Sequence, residues 1–174
     1  MDAPQWPAGP FVPPDGPVPA GERAALIAVI AAAPAALRAA AAGLSDSQLD
    51  TPYRNWTVRQ IVHHVADSHL QSYVRFKWAL TEDVPTIKAY DETRWSALPD
   101  ARTGDVSPPL ALMEAAHARW LQLMGTMTDA DFARAFVHPE TGKTVRLDAA
   151  LALYAWHGRH HTAQVRWVRD RHGW

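Results

Sequence analysis

The chain has 174 residues, 17 basic and 18 acidic side chains for a net charge of -1, and 48% apolar content, which suits one domain with a packed core rather than two. This balance excludes the basic face expected of a nucleic-acid binder and any strong pull toward anionic lipid. Cysteine is absent, which excludes disulfides, thiolate metal sites and a cysteine nucleophile, so a metal would have to be held by imidazole or carboxylate.

Residues 1–19 carry seven prolines and favour an extended polyproline arm. Trp6, Phe11 and Val12 predict that this arm packs on the domain. No basic region followed by an apolar stretch opens the chain, so no secretory signal is read there and the expected location is the cytoplasm. An Ala-rich helix is predicted from Glu22 to Ala42, terminated by Gly43 and kinked at Pro34. Pro34 and Arg38 within it argue for a packing helix rather than a membrane span.

After a connection over 44–55, Thr57 with Gln60 three residues on forms a capping box that starts a second helix, reaching about Leu80. A long irregular segment, 81–106, follows; loops of that length often serve function, and Tyr90 and Trp95 are placed to roof a pocket. Ser107-Pro108 opens a third helix ending near Met127, and residues 133–147 suit a short hairpin. A fourth helix is predicted from about Asp148 to Arg171.

A faint internal repeat relates Leu44-Ser45-Asp46 with Leu49 to Met127-Thr128-Asp129 with Phe132, and Thr57-Val58-Arg59 to Thr144-Val145-Arg146. It suggests two helical hairpins. Four long helices with little strand signal predict an all-α, four-helix bundle with long crossover loops, one domain over 1–174.

The chemistry concentrates on the fourth helix. At 100° per residue, Ala150, Tyr154, His157, His161, Val165 and Val168 fall on one narrow stripe facing the core. Two imidazoles one turn apart then point inward, where they either share a metal ion or are satisfied as core hydrogen bonders. His160, at the stripe's edge, is a candidate general base or substrate contact. On the second helix the wheel does not choose. His69 sits at the centre of the stripe of Val58, Val62, Val65 and Phe76, while His64 lies on its flank. Asp67 is a candidate to orient a ligand histidine, or else a solvated surface carboxylate. Trp156, Trp167 and Trp174 lie off the inward stripe and are expected at a subunit interface.

The run from Trp56 to His69 and the run from Tyr154 to Gln164, with the stretches 44–54, 73–77 and 85–95 and the Pro-rich arm, resemble the YfiT-like branch of the DinB superfamily over nearly the whole chain. The resemblance implies a four-helix bundle binding one divalent ion, zinc or nickel, through His64, His157 and His161. It also implies a metal-dependent hydrolase, or a thiol S-transferase working with a low-molecular-weight thiol such as bacillithiol, acting as a cytoplasmic homodimer on a small-molecule substrate. The alternative is a non-catalytic metal-binding stress-response bundle, which would close the coordination sphere with a fourth protein ligand such as His69 or His160.

Overall fold

The computed structural model describes residues 2–174. Its main elements are four long helices: α1 (Ala20–Ala41), α3 (Val58–Thr81), α6 (Ser107–Met124) and α8 (Leu147–His172). Between them lie α2 (Asp46–Leu49), β1 (Pro52–Tyr53), β2 (Trp56–Thr57), α4 (Glu92–Ser96), α5 (Pro99–Thr103), α7 (Asp129–Ala133), β3 (Ala135–Val137) and β4 (Thr144–Arg146). β1 pairs antiparallel with β2, and β3 antiparallel with β4. Helix α1 runs through Pro34 as one helix and stops before Gly43, whose φ of 74° is a left-handed position suited to glycine. The Thr57–Gln60 capping box starts α3 as expected.

Around the bundle the order is α1, α6, α3, α8. The Val18 N–H bonds Asp148 Oδ2 at 3.1 Å at the start of α1 and α8, and Arg169 bonds the Ala40 and Ala42 carbonyls where both helices end. These two helices therefore run parallel. Leu110 and Met113 share a core cluster with Val58 and Ile61, and Trp120 and Met124 share another with Phe76 and Ala79, so α3 and α6 run parallel too.

That arrangement corrects the two-hairpin expectation. Helices α1 and α3, joined by the first repeat copy, lie across the bundle diagonal, as do α6 and α8, joined by the second. Each connection crosses a bundle end, which takes more chain than a tight turn. The repeat marks these bridges: capping boxes at Ser45/Gln48 and Thr128/Asp131 start α2 and α7, and each is followed by a two-stranded hairpin. The third long helix ends at Met124, capped by Gly125, rather than near Met127, and α7 was not expected.

The long loop has the complementary cause. Parallel neighbours α3 and α6 need a return along the bundle length, on the order of 36 Å for 24 residues at 1.5 Å each. Residues 82–106 make that return, passing over the groove between α3 and α8. Buried Arg59 fastens part of it, donating to Asp46, Asp50 and the Gly104 carbonyl. By length and apolar character α1 could cross a membrane; here it packs on α6 and α8.

Two apolar clusters fill the bundle, one at each end. Between them, at mid-height, lies a polar layer containing His64, His69, His117, His157 and His161. The site is that layer.

Candidate metal centre

His64, His157 and His161 come together: one ring nitrogen of each lies within 4.8 Å of the others. His64 Nε2 and His157 Nε2 are 3.2 Å apart. Two nitrogens bound to one tetrahedral zinc at 2.0–2.1 Å stand on the order of 3.3 Å apart, so the spacing fits a shared cation. Trp56 packs against the His64 ring with centroids 4.5 Å apart and holds it toward α8.

The tautomers follow from one backbone carbonyl. His117 Nδ1 lies 2.8 Å from the Ile30 carbonyl oxygen, which can only accept, so that nitrogen carries hydrogen. Burial lowers the pKa of His117, so the ring is neutral and its Nε2 is an acceptor. His69 Nδ1, 2.8 Å away, therefore donates to it, which leaves His69 Nε2 to accept from His157 Nδ1 at 3.2 Å. The relay ends with a bare lone pair on His157 Nε2, facing His64. Gly158 makes room for it: a Cβ there would stand 3.3 Å from His69 Cε1 and from Ala33 Cβ.

His161 is set by a different partner. Its Nδ1 donates to Gln164 Oε1 at 2.7 Å, leaving Nε2 free, and the Gln164 amide donates to His160 Nε2 at 3.0 Å. Orienting partners of this kind fix the ring and raise its basicity toward a metal. His69 and His160 lie outside this cluster of three, and His69 has both ring nitrogens engaged, against the closed coordination sphere of the stress-response alternative. His160 stacks on Trp156 with centroids 4.6 Å apart, and its Nδ1 is buried without a partner.

Among the described residues Asp67 stands apart from these hydrogen bonds. It is half-buried and bonds no ligand histidine; burial, with Asp100 beside it, pushes its carboxyl up to about 6. Gln164 and His69 hold His161 and His157 instead. The role of His69 was not legible from spacing, because its partners His117 and His157 come from other helices, whereas Gln164, three residues after His161 on the same helix, stands where spacing alone could have found it. Trp156 also departs from expectation: its Nε1 donates to the Gly9 carbonyl and Phe11 packs on it, so the chain's own arm covers it. Trp167 packs on Tyr53, and Trp174 stacks on His172.

A cavity of about 650 Å³ opens onto the three histidines. The arm supplies Trp6 to its wall, anchored where Tyr53 donates to the Pro4 carbonyl and Arg54 to the Ala3 carbonyl. The crossover loop supplies Tyr90, while Trp95 packs behind Tyr90 and stays exposed.

The sequence profile of the DinB superfamily matches residues 30–165, which span all three clustered histidines. The chain belongs to the DinB superfamily. Among DinB relatives, YfiT of Bacillus subtilis (strain 168), provisionally named a metal-dependent hydrolase, is 51% identical over 150 residues, covering 85% of this chain and 84% of that protein. A relative from Geobacillus kaustophilus (strain HTA426) with the same provisional naming is 46% identical over 177 positions, covering 100% and 98%. The solved structure of Bacillus subtilis YfiT, described as having an unusual four-helix bundle topology, superposes with a TM-score of 0.94 at 46% identity, covering 97% of each chain. A three-histidine cluster in a DinB chain whose relatives carry metal-dependent names supports a bound metal.

Burial of the DinB centre has a pH consequence. It lowers His64 to about 4 and holds His69, His117, His157 and His161 below the ordinary 6.5, the other imidazoles adding to this at His69, His157 and His161. Below pH 6.5 the unfolded chain therefore binds protons that the folded one refuses, and stability present above 6.5 is lost as pH falls. Asp67 opposes this: raised from 3.8 to about 6, it stabilises at low pH and loses that contribution as pH rises through 6. Five imidazoles outweigh one carboxyl. The melting temperature of metal-free protein is expected to fall between pH 7 and pH 5, and a flat or rising profile in calorimetry would contradict the assignment.

Proposed function

We propose that this protein is a metal-dependent enzyme of the YfiT-like type, holding one divalent ion, zinc before nickel, through His64, His157 and His161. The observation that carries this is the cavity opening directly onto three neutral imidazoles, with both ring nitrogens of the nearby His69 committed elsewhere. Three ligands with an accessible fourth position distinguish a catalytic from a structural zinc site. When bound, such an ion supplies Lewis acidity that brings a coordinated water or thiol toward deprotonation at neutral pH.

The chain's own residues do the rest. His117 and His69 hold His157 in the tautomer that presents Nε2, and Gln164 does the same for His161. Trp56 and Trp6 cover the approach and exclude water from one side. His160, on the cavity wall beside His161, is the further imidazole placed to meet substrate.

Two reactions suit this centre: hydrolysis, as the relatives' names suggest, and transfer of a thiol to an electrophile. For transfer, a thiol would be deprotonated at the same three histidines that would activate water for hydrolysis. With no cysteine in the chain, that thiol comes from a bound small molecule such as bacillithiol. This reading includes action as a cytoplasmic homodimer.

The test incubates zinc-loaded protein with bacillithiol and monobromobimane, alongside His64→Ala. Conjugation faster than background and lost in the variant supports thiol transfer. Hydrolysis of an activated ester without faster conjugation assigns the protein to hydrolysis, and activity in neither assay defeats the enzymatic reading.

A further inference from the structure

Arg75 stands three turns along α3 from His64, and the chemistry above makes no use of it. Eleven residues at 100° each return to within about 20° of the same helix face, so His64, Ser68 and Arg75 line one wall of the cavity. Arg75 is only 8% exposed. Its Nη1 donates to the Tyr154 hydroxyl at 3.2 Å, and its Nε is buried without a partner. Among the described residues no carboxylate lies within 4.0 Å of it; the ion pairs belong to Arg23, Arg38, Arg59 and Arg146. Arg59, comparably buried, shows what a structural arginine looks like here, with two carboxylates and a carbonyl on its guanidinium.

A buried guanidinium with donors to spare and no counter-charge is unfavourable in the empty protein. It becomes favourable when an oxyanion enters, because the planar fork of arginine matches one closely. The Tyr154 hydroxyl beside it offers a further donor. The acidic residues that reach the cavity, Glu92 and Glu140, are exposed. With one guanidinium against two nearby acids, a singly charged carboxylate suits the place better than a phosphate dianion.

We propose that Arg75 anchors a carboxylate on the substrate whose reacting end sits at the three-histidine centre, an assignment that rests on the functional reading above. The ligand is then an elongated molecule with its acid set several bonds away from the reacting atom. The Cα atoms of His64 and Arg75 are separated by roughly 16 Å along the helix, part of which the arginine side chain closes.

The probes are 8-mercaptooctanoate and 8-mercaptooctan-1-ol, alike at sulfur and different only in the far group, with octanoate as the thiol-free control. Each is titrated calorimetrically into zinc-loaded wild type and Arg75→Gln, and the Arg75 Nε–H resonance is followed in metal-free wild type. Wild type is expected to prefer the acid over the alcohol by about tenfold or more, the size of a charge-assisted hydrogen bond. Arg75→Gln should bind both thiols alike. Equal binding in wild type, or a preference that survives in the variant, overturns the proposal. If neither thiol binds but octanoate moves the Arg75 Nε–H, the metal reading fails while the carboxylate site stands. An Nε–H unmoved by octanoate overturns the site. Should Arg75→Gln fail to fold, the wild-type resonance still decides.

Discussion

Replacing His161 with alanine is expected to lower zinc affinity by more than about 100-fold, a larger loss than the 10–100-fold typical of removing a partner behind a ligand. The reason is geometric. His157 and His161 sit at i and i+4 on α8, while His64 arrives from α3, so each contributes a direction that no neighbour can replace. His69 and His160 lie outside the cluster of three, so neither is placed to take over a lost position. The same loss is expected for His64→Ala and His157→Ala. Competition with a chromophoric chelator measures it, and unchanged affinity in any one variant would remove that histidine from the centre. Zinc should also raise the melting temperature of wild type with the logarithm of its excess over the dissociation constant, and fail to do so for the variants.

The second large effect is expected from a residue that touches no metal. His117→Leu removes both the donor to the Ile30 carbonyl and the acceptor for His69 Nδ1–H, leaving two buried polar groups unpaired at about 1–3 kcal/mol each. For a chain of this size each kcal/mol corresponds to roughly 2–4 °C in melting temperature. With the carbonyl no longer dictating proton positions, His69 can reverse its tautomer and His157 can follow. Zinc affinity should then fall by about 10–100-fold. Nitrogen-15 spectra of the histidine rings supply the readout that a packing role would not move: His157 should carry its proton on Nδ1 in wild type and show a mixture in the variant. Lost stability with unchanged zinc affinity and an unchanged His157 spectrum would reduce His117 to a core residue.

These two results would separate what contacts the ion from what aims the contacts. Asp67 was the sequence candidate for aiming, on the reasoning that a carboxylate near a histidine pair accepts its second N–H. In the fold the bonds to His157 and His161 come from neutral groups, His69 and Gln164. A neutral imidazole relay suits a layer enclosed by apolar clusters above and below, where a carboxylate would carry a heavier desolvation cost.

Periodicity and end signals were enough for the long helices, because caps and apolar stripes are local properties. The Thr57 box, Gly43 and the Ser107-Pro108 start all stand where expected, and the stripe from Ala150 to Val168 faces inward. The same stripe brought His157 and His161 together without further information, since i and i+4 are neighbours on any helix. Which histidine of α3 would join them was a different kind of question. The wheel put His69 at the centre and His64 on the flank, and resemblance rather than spacing chose between them. Both positions turned out to matter, His69 wholly buried behind the ligands and His64 at the cavity. The order of helices around the bundle, the diagonal connections, the reach of His117 from α6 and the unpaired charge of Arg75 were beyond local pattern. They depend on how four amphipathic surfaces rotate to bury one another, and that rotation is settled only when all four helices pack at once.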